Sequence, residues 1–222
     1  MNAIQELLKT HCPNGVEYKV LSKICNVRAG DRIIKSMMND DEKYPVMGGG
    51  VEPTGYYHNF NFNYGITIAR AGSAGFVSWQ NDKFWATDVC FVVSGLLQSK
   101  ISSLSLRGEA EAIQNLDSNA MDCNNKLRLK YIYYFIKNHE KEFKNHLYGA
   151  SMPKLDKSYL WNLRIPIPPL IVQEKIVTIL DTFTELEAEL EAELEARKKQ
   201  YAYYREKLLG FDYLDSITGG GH

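Results

Sequence analysis

Apolar positions follow two different spacings along this chain, and the change between them divides it. Between residues 44 and 93 they form short runs rich in β-branched and aromatic residues: Tyr44 to Met47, Gly65 to Arg70, Phe76 to Trp79 and Phe84 to Val93. Glycine clusters at Gly48-Gly49-Gly50, Gly55 and Gly72-Ser73-Ala74-Gly75 separate them. This pattern predicts strands of a mixed or antiparallel sheet joined by tight turns. From Ile176 onward the apolar positions recur every three or four residues, which is the spacing of a helix.

Pro166, Pro168 and Pro169 stand just before that helix. Proline is tolerated in a first helical turn but not inside a helix, so an extended strand must pass sharply into helix at this point. No breaker follows until Gly210. About 40 residues at 1.5 Å each make a rod on the order of 60 Å, which needs a partner along its apolar face. With Leu180 at heptad position a, the a series is Leu180, Glu187, Leu194, Tyr201 and Leu208, and the d series is Ile176, Phe183, Leu190, Arg197 and Tyr204. The eight apolar members form the predicted dimerisation seam. Glu187 and Arg197 interrupt it. An antiparallel copy could bring each near the other; alternatively both reach out to solvent.

Three near-identical units, Leu186-Glu-Ala-Glu, Leu190-Glu-Ala-Glu and Leu194-Glu-Ala-Arg, lie within the seam. Four residues is close to one helical turn, so a unit could be added or removed without ending the helix, moving and rotating whatever its ends hold. The alternative is a solvated, helix-favouring acidic segment.

Around these features, residues 3 to 10 predict a short amphipathic helix ended by Cys12-Pro13-Asn14-Gly15, and Val20 to Cys25 a helical turn leading to a strand at Asn26 to Gly30. Ile34 to Lys43 reads as a loop, 96 to 125 as partly helical and Leu127 to Leu147 as a second long helix with Leu129, Ile132, Phe135, Ile136 and Phe143 on one face. A short helix at Asp156 to Leu160 and a strand at Leu163 to Ile167 deliver the chain to the prolines. The expected class is α+β: a globular domain over 1–165 with a mixed or antiparallel sheet and peripheral helices, one long coiled-coil helix over 166–210, and a tail over 211–222 whose Gly219-Gly-Gly-His222 resembles a cloning remnant.

The formal net charge of −1 hides an asymmetry: residues 171–222 carry six Lys/Arg and eleven Asp/Glu, and the rest twenty and sixteen. A mildly basic domain and an acidic arm are compatible with DNA binding by the former alone. No run of about 18 apolar residues occurs and the N-terminus lacks a basic, then apolar leader, so membrane insertion and secretion are not expected and a cytoplasmic location is. Cys12, Cys25, Cys90 and Cys123 are too widely spaced for a metal site or a disulfide framework.

No catalytic constellation is visible. The five histidines include no His-Glu-x-x-His, no serine sits in Gly-x-Ser-x-Gly, and neither a dinucleotide fingerprint nor a P-loop is present. Asp88, after Thr87, reads as a structural hydrogen-bonding residue of a strand bend, with a catalytic carboxylate as the alternative. His139 and His146 read as surface residues of the second helix. Around the glycine turns, however, aromatic and basic residues interleave: Tyr56, Tyr57, His58, Arg70, Trp79, Lys83 and Trp85. Glycine admits close approach of a ligand, while Arg and Lys can grip phosphate or guanine. The alternative places half or more of the aromatics in the core, Trp79 and Trp85 first.

The order Cys-Pro-Asn-Gly-Val-Glu (12–17), Tyr-Pro-Val-Met-Gly-Gly-Gly (44–50), Ile-Ala-Arg-Ala-Gly-Ser-Ala-Gly (68–75), Phe-Trp-Ala-Thr-Asp (84–88), Pro-Ile-Pro-Pro-Leu-Ile-Val-Gln-Glu-Lys-Ile-Val (166–177) and Tyr-Tyr-Arg-Glu-Lys-Leu-Leu (203–209) resembles the specificity subunit of bacterial type I restriction-modification systems. The resemblance covers nearly the whole chain. It implies a target-recognition domain on a helical spacer, where a full subunit of the family has two domains and two antiparallel spacer helices. This chain is similar to half of one, which implies a homodimer reading an interrupted palindrome of double-stranded DNA. The implied partners are methyltransferase subunits bringing S-adenosylmethionine and restriction subunits bringing ATP and Mg²⁺, with no cofactor and no catalysis in this chain. The four-residue units resemble spacer-tuning repeats, so that an added unit, about 6 Å of helix, would lengthen the unread gap.

The expected DNA-contacting residues lie in loops: Lys35, Gly49, Tyr56, Tyr57, Arg70, Ser73, Lys83, Ser151 and Lys154. Arg70 is the first candidate for a base or phosphate contact, with a structural salt bridge as its alternative. Two other classes stay open: a coiled-coil adaptor without DNA binding, and a free-standing nuclease or methyltransferase, against which the absence of an acidic metal cluster or adenosylmethionine-binding glycine motif weighs.

Overall fold

The computed structural model describes residues 2–96 and 118–209, with side chains placed for 4–95 and 123–209. They form two compact units, Met1–Val177 and Thr178–His222. Most of the expected 96–125 segment and the 211–222 tail lie outside the described residues.

The first unit is α+β. Helix α1 (Asn2–His11) ends at the Cys12–Gly15 turn, where Gly15 takes a positive φ of 88°. Strand β1 (Tyr18–Val20), helical turn α2 (Leu21–Ile24) and β2 (Cys25–Ala29) follow. A 3₁₀ turn at Lys35–Met37 precedes β3 (Tyr44–Met47), β4 (Tyr56–Tyr57), β5 (Gly65–Ala69), β6 (Val77–Gln80), β7 (Trp85–Ala86) and β8 (Cys90–Leu96). Strands β2-β8-β5-β6 make an antiparallel sheet, while β3 pairs antiparallel with β4 and parallel with β7. Alternation around the glycine clusters thus produces the expected mixed and antiparallel pairing.

The run Phe84 to Val93 is two strands, not one. The Thr87 amide donates to the Met47 carbonyl and the Arg70 amide to the Val89 carbonyl, so the chain leaves the β3 sheet at β7 and joins the other sheet at β8. The side-chain role expected of Thr87 and Asp88 is not found: Asp88 is exposed, and Thr87 Oγ1 is buried without a hydrogen-bond partner.

Helix α3 (Ser118–Asn138) buries Leu129, Ile132 and Ile136 against the larger sheet. The expected helix to Leu147 breaks at His139. There the imidazole Nδ1 lies 2.8 Å from the Phe135 carbonyl, and the backbone amide turns to Ile136 instead. A new turn, α4 (Glu140–Phe143), then directs Phe143 into the core. Strand β9 (Leu147–Tyr148) pairs with β10 (Lys154–Leu155), and α5 (Lys157–Trp161) is capped by the Asp156 carboxylate accepting from the Ser158 amide at 2.8 Å.

Strand β11 (Arg164–Pro166) pairs with β1, and the Tyr131 hydroxyl donates to the Pro166 carbonyl at 3.0 Å, with burial pushing that phenol up to about 12. Helix α6 (Leu170–Leu209) starts directly after the prolines. Its opening turns belong to the first unit: Val172, Gln173 and Val177 are buried, and Gln173 Nε2 donates to the Pro168 carbonyl at 2.7 Å. This bond explains why a glutamine stands among apolar residues at the junction, since it satisfies a backbone carbonyl that burial would otherwise orphan. In the second unit every residue from Thr182 to Leu209 is exposed.

Candidate nucleic-acid interface

Three loops meet at one end of the first unit: Gly48–Gly50 after β3, Ala71–Gly75 between β5 and β6, and 149–153 between β9 and β10. The Ser73 amide donates to the Gly49 carbonyl at 2.7 Å, the Leu155 amide donates to the Arg70 carbonyl at 2.8 Å, and Ala71 bridges Lys154. Glycine is required at the contact. A methyl group at Gly49 would lie 2.1 Å from the Ala71 carbonyl oxygen, and Gly72 has a φ of 79° with its own missing Cβ 2.7 Å from the Gly49 oxygen. Only backbone fits between these loops.

Four expected residues, Gly49, Arg70, Ser73 and Lys154, are thereby held together, with Ser151 exposed on the third loop. The Arg70 guanidinium lies over the Phe91 ring at 5.6 Å and has no carboxylate within ion-pair distance among the described residues. Stacking fixes its base while the charge stays available. A cavity of about 450 Å³ opens at the second loop, lined by Gly72, Ser73, Glu140, Lys144 and Pro153 among others. Lys144 was not singled out from the sequence because its exposure there depends on the helix break at His139.

The other expected contacts lie elsewhere. Lys35 and Tyr56 sit at the β4 edge, where the Asn39 amide donates to the Tyr56 carbonyl at 3.0 Å. Tyr57 is a correction: strand alternation turns it inward, the residue is 8% exposed, and its ring packs edge-on against Trp85 at 5.1 Å. Trp79 and Trp85 are themselves only half-buried. Lys83 lies at the opposite ends of β3 and β6 from the three loops, its ammonium 4.3 Å from the Phe60 ring centroid beside Lys43 and Tyr44. His146 is on the surface, stacked on Tyr159 at 3.5 Å.

Along α6 the seam residues Phe183, Leu190, Leu194, Tyr201, Tyr204 and Leu208 are all exposed, and Leu180 is half-buried. Ile176 differs: it packs against the domain core, so the free seam begins beyond it.

Burial pushes the Cys25 and Cys90 thiols up to about 12, which keeps them protonated and unreactive. Among the described residues no three His, Cys, Asp or Glu side chains converge as a metal group would need, and no helix is long and apolar enough to cross a membrane.

The chain is similar to known proteins along most of its length. A putative type I restriction enzyme specificity subunit from Haemophilus influenzae is 33% identical over 220 residues, covering 91% of this chain and 48% of the relative. The specificity subunit of the type I restriction enzyme MpnII from Mycoplasma pneumoniae is 30% identical over 198 residues, covering 85% and 51%. The chain therefore spans about half the length of these relatives. Its fold matches the crystal structure of a type I restriction-modification S subunit from M. genitalium with a TM-score of 0.61 at 22% identity, covering 91% of this chain and 49% of that one. The model of the type I restriction modification DNA specificity domain matches residues 13–116 and 99–196, and the chain belongs to that family.

Proposed function

We propose that this chain is the sequence-reading half-subunit of a type I restriction-modification complex, carrying one target-recognition domain and pairing with a second copy through α6. Convergence of the three glycine-bearing loops, with Ser73 and Ser151 on them and Arg70 and Lys154 at their edges, is the observation that carries the reading. Loops locked to one another by backbone hydrogen bonds can hold side chains at fixed positions against base edges and phosphates. Lys144 and Lys83 add positive charge for the backbone, and Lys35 and Tyr56 extend the surface.

Two identical domains on antiparallel helices would read an interrupted palindrome. Methyltransferase subunits would hold S-adenosylmethionine and restriction subunits ATP and Mg²⁺, so this chain supplies the address and no chemistry. A four-residue unit turns a helix by about 40° beyond a full turn and advances it about 6 Å. One base pair turns DNA by roughly 34–36°. The 6 Å advance corresponds to nearly two base pairs at about 3.4 Å each, so each four-residue unit would lengthen the unread gap by a small step.

Replacing Arg70 with alanine tests the site. In the presence of the methyltransferase subunits, affinity for the cognate duplex should fall by about 1 to 3 kcal/mol, with a smaller loss on scrambled duplex. Equal losses on both would reduce Arg70 to a phosphate contact. If the parent complex has no salt-dependent affinity for DNA at all, the helix serves a protein adaptor instead.

A further inference from the structure

On α6, Phe183, Leu186, Glu187, Leu190, Glu191 and Leu194 line an open groove of about 660 Å³. Glu187 lies within it and has no hydrogen bond or ion pair among the described residues. Arg197, ten positions on, bonds among the described residues only to its own helix, at 3.4 Å from Glu193 and 3.5 Å from Gln200, in exposed contacts weak enough to exchange for a better one. An apolar seam is thus broken twice, once by each sign of charge.

We infer that Glu187 and Arg197 form a register lock: two copies of α6 pair antiparallel about a two-fold axis beside Ala192, with each Glu187 facing the partner's Arg197. The inference rests on the pairing proposed above and adds its register. Antiparallel coiled coils set a positions of one helix against d positions of the other. In this register Leu190 faces the partner's Leu194, Phe183 the partner's Tyr201 and Leu180 the partner's Tyr204, so every layer from Leu180 to Tyr204 is either apolar throughout or an ion pair.

Sliding one helix by a heptad, about 10.5 Å, destroys this match. In one direction Glu187 meets Leu190 and Arg197 meets Leu180; in the other they meet Tyr204 and Leu194. Either slide leaves four charges in the seam without partners, and an unpaired buried charge is strongly disfavoured. A parallel pair would set Glu187 against Glu187 and Arg197 against Arg197. The flanks do not add to the lock, because Glu189 to Glu195 lie about the axis and run beside their own copies, while Lys199 passes the partner's Glu185; the two Glu187–Arg197 layers set the polarity and the register. A second copy is therefore the occupant that the face itself describes. Fixing the register fixes the overlap of the two helices, and with it the gap that the pair leaves unread.

A charge exchange on the full chain tests the lock, with the dimer dissociation constant measured by sedimentation equilibrium. Glu187→Arg alone sets arginine against arginine, and Arg197→Glu alone sets glutamate against glutamate. Each should weaken the dimer at least about tenfold, and the double exchange should return it to within about threefold of the parent. Single exchanges without effect, or a double exchange as weak as the two singles combined, would overturn the register while leaving pairing intact. A parent chain that stays monomeric at every concentration would overturn the pairing itself.

Discussion

Replacing both Leu190 and Leu194 with aspartate is expected to turn the paired chain into a monomer. The two leucines are 66% and 54% exposed in the single chain, so each has on the order of 1 to 2 kcal/mol of burial still to gain from a partner. Four leucines in a pair then contribute roughly 4 to 8 kcal/mol. That is comparable with the whole of a micromolar association, about 8 kcal/mol. Four carboxylates at the centre would add repulsion to the loss. Because neither side chain contacts the core cluster, the domain should melt at the parent temperature. Light scattering checks the mass and circular dichroism the fold. A variant that remains dimeric would move the interface off this face of α6.

Gly49→Ala is expected to have the largest effect on recognition among single substitutions in the domain. The added methyl would stand 2.1 Å from the Ala71 carbonyl oxygen, far inside contact distance, and its obstacle is backbone that no rotamer change can move. Relief requires separating the first two loops, which breaks the bond from the Ser73 amide to the Gly49 carbonyl. Overpacking of this kind costs about 1 to 3 kcal/mol of stability. Displacing Arg70 and Ser73 by about an ångström should remove most discrimination between cognate and scrambled duplex. Gly50 is the control. A methyl there comes no closer than 3.4 Å to any described neighbour, the Glu52 carbonyl oxygen, so Gly50→Ala should leave melting and discrimination near parent values. Equal behaviour of the two variants would mean that the contact between the loops does not position the site.

The parts of this fold that were legible in the sequence are those whose cause is local. Pro166, Pro168 and Pro169 mark where α6 begins because of ring geometry alone, and a heptad spacing from Ile176 to Leu208 runs along most of its 40 residues. The runs at Tyr44 and Gly65 read as strands for similarly local reasons. Strand β1 was missed because three residues carry little periodicity and its partner, β11, lies far along the chain. Tyr56 and Tyr57 look alike in sequence, yet a single step along β4 sends one to the surface and the other beneath Trp85. The break at His139 depends on a side chain taking a helix carbonyl, which no spacing rule anticipates.

The site divides in the same way. Glycine clusters announced close backbone approach, but which clusters approach each other is decided by hydrogen bonds such as Ser73 to Gly49 and Leu155 to Arg70, between residues distant in sequence. Arg70 could be named from its motif; its seat on Phe91 could not. Lys83, equally plausible in sequence, lies beyond the far end of β3. A four-residue strand spans only about 13 Å, so one duplex could still reach both ends.

The most direct test of the whole account is the DNA sequence that the chain selects. Chain and methyltransferase subunits are incubated with a pool of random duplexes, and the retained molecules are sequenced. The account predicts two identical half-sites in inverted orientation, separated by an unread gap of constant length. Two different half-sites, one continuous site, or no enrichment over the starting pool would contradict it.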